Sequence, residues 1–115
     1  MLERNKLPRT TSLKRRADID LLLKTGKKIS GDYFSLFWQK SPAFNSGVLI
    51  SRKYGSAAER NRAKRLIREA IRLNRQSLNE PVSIAVLPKP NVGEPDFDVI
   101  NAEISRIFKL INDRA

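Results

Sequence analysis

The stretch SAAERNRAKRLIREAIRLNRQ, Ser56 to Gln76, decides how this chain is read. At about 100° per residue, Ala63, Leu66, Ile67, Ala70 and Ile71 fall within a helical sector of about 140°. Asn61, Lys64, Arg65, Arg68, Arg72 and Arg75 occupy the opposite sector, about 100° wide. One face is thus made to pack and the other is cationic, with Arg60 and Arg62 flanking the two near the start. Ser56 and Glu59 have the S-x-x-E spacing of a capping box, which fixes the helix start near Ala57.

A solvated face laced with salt bridges is the plain account of such charge, and it needs acids. From Arg52 to Arg75 there are nine basic residues against Glu59 and Glu69 alone. Lys64 and Arg68, like Arg68 and Arg72, are like charges one turn apart, which destabilises a helix in the absence of an anionic partner. Arginine outnumbers lysine seven to two in this stretch. Its planar fork suits bidentate phosphate contacts and stacking on bases. A membrane-surface helix needs a broader apolar face with aromatic or leucine-rich flanks, whereas Ala63 and Ala70 narrow this one to a packing surface. The expected partner is a nucleic acid.

Working outward, the segment upstream turns β-like from Lys28 to Gln39, with Gly31-Asp32 as an interruption and a further short strand near Ile29. The loop from Lys40 to Gly47 is expected to reverse the chain into a strand from Val48 to Arg52, making an antiparallel hairpin. Before it, Thr11 or Ser12 is expected to cap a helix from Leu13 to Thr25, closed by Gly26. Downstream, VSIAVL between Pro81 and Pro88 reads as a strand. A loop from Lys89 to Pro95 leads to a last helix near Phe97 to Asn112, with Val99, Ile100, Ile104, Ile107, Phe108 and Ile111 at helical spacing. The order α-β-β-(β)-α-β-α predicts an α+β fold, with helices packed on one face of a small mixed sheet and the other face partly open.

The bulk numbers agree. A length of 115 residues is that of one domain, 1–115, and the formal charge of +11 calls for a polyanion. No run is long and apolar enough for a membrane span, and the charged N-terminus does not resemble a secretory signal, so a cytoplasmic location is expected. Zero cysteines leave no disulfide or thiolate chemistry, and zero histidines leave no imidazole base or ligand. Glu94, Asp96 and Asp98 could be read as a Mg²⁺ site, but capping and charging the start of the last helix is the simpler role. The order of strands around the basic helix is not that of a helix-turn-helix DNA reader, and no RRM signature is present. Recognition of a folded RNA by shape fits best.

KYGSAAE at Lys53–Glu59, followed by RNRAKRLIREAIR at Arg60–Arg72, resembles the signature of the bacterial ribonuclease P protein subunit. The RNR run and the K-R-x-x-R that follows it fall on Arg60, Asn61, Arg62, Lys64, Arg65 and Arg68. GVLISRK at Gly47–Lys53 is similar to the family's strand before the helix, and the likeness runs from about Leu7 to Leu110.

The resemblance implies a protein cofactor of an RNA catalyst that removes the 5′ leader of precursor tRNA. Mg²⁺ is then bound mainly by the RNA, with no cofactor held by the protein and no catalytic residue of its own. It also implies a left-handed β-α-β crossover, an exception to the usual hand. The implied RNA-binding residues are Arg52, Lys53, Arg60, Asn61, Arg62, Lys64, Arg65, Arg68 and Arg72. The implied leader cleft, between the first helix and the sheet, holds Ile19, Leu23, Phe37 and Ser51. Partners are the catalytic RNA and precursor tRNA, with no membrane and no obligate protein partner. Ile19 and Leu23 stand where the family usually has Phe, Phe37 where it often has Tyr, and the family's Arg after the last strand is replaced near Pro88. A ribosomal or other structural RNA-binding protein is the alternative.

Overall fold

The computed structural model describes residues 16–90 and 93–114. In chain order the elements are α1 (Arg16–Thr25), β1 (Lys27–Ser30), β2 (Phe34–Lys40), β3 (Asn45–Val48), α2 (Ala57–Asn74), β4 (Val82–Pro88) and α3 (Phe97–Arg114). Turns of 3₁₀ helix at Arg52–Tyr54 and Arg75–Ser77 flank α2. The expected cap at Thr11 or Ser12 and the start at Leu13 lie outside the described residues. Gly26 closes α1, its N–H donating to the Leu22 carbonyl at 2.8 Å, and a Cβ there would stand 2.6 Å from that oxygen.

The strands form one sheet in the order β1-β2-β4-β3. β2 pairs antiparallel with β1 and with β4, while β3 pairs parallel with β4, so α2 is the crossover between two parallel neighbours. This corrects the expected hairpin. The chain does reverse after β2, but β4 is inserted between β2 and β3. Hydrophobicity explains the placement: every residue of β4 except Leu87 is buried, which demands a neighbour on each side. Asn45-Ser46-Gly47 is polar, half-buried and suited to an edge. The strand itself lies at Asn45–Val48 rather than Val48–Arg52, because Arg52 and Lys53 already belong to the turn leading into α2. The additional strand near Ile29 is β1.

Alternation assigns the two faces of the sheet. Phe34, Leu36 and Trp38 of β2 and Val82, Ile84 and Val86 of β4 enter one core with Ile67, Ala70 and Ile71 of α2 and Ile100, Ile104, Ile107, Phe108 and Ile111 of α3. Thus α2 and α3 pack together on one face. The intervening residues Phe37, Gln39, Ser83 and Ala85 face the other side, where α1 contacts both central strands. Ile19 and Leu22 bury there, and the Thr25 hydroxyl lies 3.2 Å from Gln39 Oε1. The expected packing of helices on one face therefore holds for α2 and α3, while α1 lies across the other, partly open face.

Candidate nucleic-acid interface

The cationic face is built by the start of α2. Ser56 Oγ accepts from Glu59 N–H at 3.1 Å and Glu59 Oε1 accepts from Ser56 N–H at 2.7 Å, so the capping box is complete. These bonds hold the Glu59 carboxyl below its ordinary pKa, the Ser56 backbone N–H contributing most. Glu59 is thereby occupied by the cap and leaves the cations beyond it uncompensated. With Ala63, Ile67, Ala70 and Ile71 buried, the helix cannot roll, and the opposite side is held toward solvent over about 27 Å of helix.

Of the sequence-predicted residues, Arg52, Lys53, Asn61, Arg62, Arg65 and Arg68 are exposed and Lys64 is half-buried. Among the described residues, Arg62, Lys64, Arg65 and Arg68 have no ion pair or side-chain hydrogen bond. Two members are engaged elsewhere. Arg60 donates from Nη1 to the Gly55 carbonyl at 2.7 Å, tying the helix to the turn before it. Arg72 is forked onto Glu69, with Nε to Oε1 at 3.0 Å and Nη2 to Oε2 at 2.6 Å. Arg75, which continues the stripe in sequence, leaves it: its guanidinium lies 4.9 Å from the centre of the Phe44 ring.

Ser51 extends the cationic surface upstream. Its Oγ accepts from Lys53 N–H at 3.0 Å and its carbonyl from Tyr54 N–H at 3.0 Å, shaping the turn that carries Arg52 and Lys53. Ser51 follows β3 at the sheet edge, two strands from β2, so it sits with the basic segment rather than beside Phe37. Burial raises the Tyr54 phenol pKa, with the Glu94 and Glu59 carboxylates adding to the effect and Arg62 opposing it.

On the sheet face under α1, Phe37 is half-buried and carries Lys28 Nζ 5.8 Å from its ring centre. Leu23 is half-buried, and Ile19 is 8% exposed, which makes it a packing residue of α1. This part of the sheet thus offers a partly exposed aromatic ring with a cation beside it.

Sequence reasoning missed Glu103. It is 6% exposed, and its two oxygens accept from the N–H groups of Asp32 (3.0 Å), Tyr33 (3.1 Å) and Phe34 (3.2 Å). The available signal was a carboxylate between Ile100 and Ile107, inside the apolar stripe of α3. Asp96 takes the capping role expected of the acidic segment, accepting from Val99 N–H at 3.1 Å. Among the described residues, no group of three or more Asp, Glu, His or Cys is placed to hold a metal ion and no helix is long and apolar enough to cross a membrane.

Comparison with known proteins gives one answer. Residues 7–112 match the family described as Ribonuclease P. The ribonuclease P protein component of Thermotoga maritima is 30% identical over 109 residues, covering 90% of this chain and 93% of its own. That of Fusobacterium nucleatum is 35% identical over 104 residues, covering 85% and 94%. Among solved structures, the RNase P protein from Thermotoga maritima superimposes with a TM-score of 0.76 at 28% identity, over 86% of this chain and 96% of the other. The Staphylococcus aureus RNase P protein gives 0.77 at 23% identity, over 88% and 94%, a likeness of fold.

Proposed function

Because this chain belongs to the ribonuclease P protein family, we propose that it is the protein cofactor of a cytoplasmic ribonuclease P. In this reading Arg52, Lys53, Arg62, Lys64, Arg65 and Arg68 contact phosphates of the catalytic RNA, and Asn61 hydrogen-bonds beside them. Phe37 receives the single-stranded 5′ leader of precursor tRNA by stacking, with Lys28 beside it supplying charge to the leader backbone. The RNA performs the endonucleolytic cut, with Mg²⁺ bound mainly through the RNA. The protein holds substrate and catalyst together and neutralises charge between them.

The observation that carries the reading is the row of unpaired cations on a helix whose other face is locked into the core. A packed helix has no structural use for four unpartnered cations within seven residues, Arg62 to Arg68, and their mutual repulsion is relieved only by an anion. Charge neutralisation also makes the test sensitive to Mg²⁺, since a protein that screens phosphates matters most when little divalent cation is present. Purified protein added to a bacterial ribonuclease P RNA at low Mg²⁺ is expected to speed cleavage of a precursor tRNA. The stimulation should be lost in Arg62→Ala/Arg65→Ala/Arg68→Ala with far-UV circular dichroism intact. Absence of stimulation, together with tight binding to ribosomal RNA, points instead to a structural RNA-binding protein.

A further inference from the structure

The stripe on α2 contains one carboxylate with no role in the fold. Glu59 and Glu69 are the only acids of the helix, and Glu59 is committed to the cap. Glu69 lies one turn from both Arg65 and Arg72 and next to Arg68. These residues, with Leu66, line a shallow groove of about 640 Å³ on the outer face of the helix. The Glu69–Arg72 pair is exposed on both sides, and such pairs contribute little to folding. Its consequence lies in charge. The fork takes Nε and Nη2 of Arg72, two of the donors a phosphate would occupy, and cancels one positive charge beside the free Arg65 and Arg68.

We propose that Glu69 limits the affinity of the α2 face for RNA by holding Arg72 in an intramolecular fork, so that Arg72 is withheld from phosphate. The proposal rests on the reading of α2 as an RNA-binding face. The Arg72 hydrogen bond holds the Glu69 carboxyl below its ordinary pKa, so the carboxylate is ionised at neutral pH. An amide at the same position keeps the shape but accepts at one oxygen where the fork uses two, freeing Arg72 to join the row. The pair thus sets how many charges the helix offers, leaving room for the RNA to dissociate.

The test is a salt titration of binding to a bacterial ribonuclease P RNA transcript by the full chain and by Glu69→Gln, Arg72→Ala and Glu69→Gln/Arg72→Ala. Glu69→Gln should bind more tightly, and its log–log salt dependence should steepen by about 0.7 to 0.9 unit, one added phosphate contact. The double variant should bind no more tightly than Arg72→Ala, because the gain acts through Arg72. A gain that persists in the Arg72→Ala background overturns the proposal, since simple removal of a negative charge then explains it. Weaker binding by Glu69→Gln also overturns it, because the carboxylate would then be presenting Arg72 to the RNA or touching it directly. Arg65→Ala on the same transcript separates the two levels of the argument. Loss with Arg65→Ala and no gain with Glu69→Gln sinks the fork alone, and no effect of either sinks the RNA-binding reading as well.

Discussion

Glu103 holds three consecutive N–H groups at the turn between β1 and β2, and the turn is shaped around it. Gly31 comes so close that a Cβ there would strike the carboxylate. Removing the carboxylate leaves the buried Phe34 N–H and the part-buried N–H groups of Asp32 and Tyr33 unpaired, the costly side of hydrogen-bond asymmetry. Glu103→Ala is therefore expected to lose about 3 kcal/mol in chemical denaturation, with Glu103→Gln intermediate because an amide offers one acceptor where two are used. An unchanged midpoint for Glu103→Ala would show that the turn is held without it. At this scale the sequence was legible for the free cations of the stripe and opaque for side chains with a second use. Nothing in the spacing of Arg60, Arg72 and Arg75 distinguishes them from Arg65 and Arg68. Helical spacing puts Glu69 within reach of both Arg65 and Arg72 and leaves its choice open, while only the fold brings Gly55 to Arg60 and Phe44 to Arg75. Ile19 follows the same logic in reverse: its aliphatic side chain reads as core, and it is buried.

The helix α2 could be read almost whole, because its period, cap and charge agree. Local signals of that kind need no knowledge of what lies far away in sequence. The cap is also where the helix responds to substitution and to acid. Ser56→Ala should cost about 1 kcal/mol of stability, the usual value for losing such a cap. The Glu59 carboxyl is held below its ordinary pKa in the folded protein, so its contribution is present above the unfolded value and is lost as pH falls through the depressed folded one. Glu59→Gln should flatten that part of the acid-unfolding curve, whereas an acid limb identical to wild type would mean that the carboxylate is not part of the cap in solution. The strands were harder to place than to detect. β2 and the segment before α2 are close in sequence and opposite in direction, so a hairpin was the natural expectation. What decides otherwise is the non-local demand of β4 for two neighbours, which no short-range pattern in Phe34–Val48 expresses.

Across the whole molecule, the two faces of the sheet divide the work. One buries the helices that hold the cations outward, and the other keeps Phe37 half-open beneath α1. A formal charge of +11 is tolerated because much of it stands along one ridge where a polyanion can meet it. Residues 7–112 match the family that the RNR run resembles, and the order of elements along the chain is the expected one, with β4 rather than β3 beside β2. The position of Ser51 was not legible, since it depends on β3 ending at Val48 and lying at the sheet edge.

The central claim is that α2 binds RNA through phosphate contacts, and the salt dependence of binding tests it most directly. Six cations, Arg52, Lys53, Arg62, Lys64, Arg65 and Arg68, imply a log–log slope of roughly −4 to −5 for binding to the ribonuclease P RNA. The Arg62→Ala/Arg65→Ala/Arg68→Ala protein should show a slope flatter by about two to three units. A slope that is the same in both proteins would contradict the account.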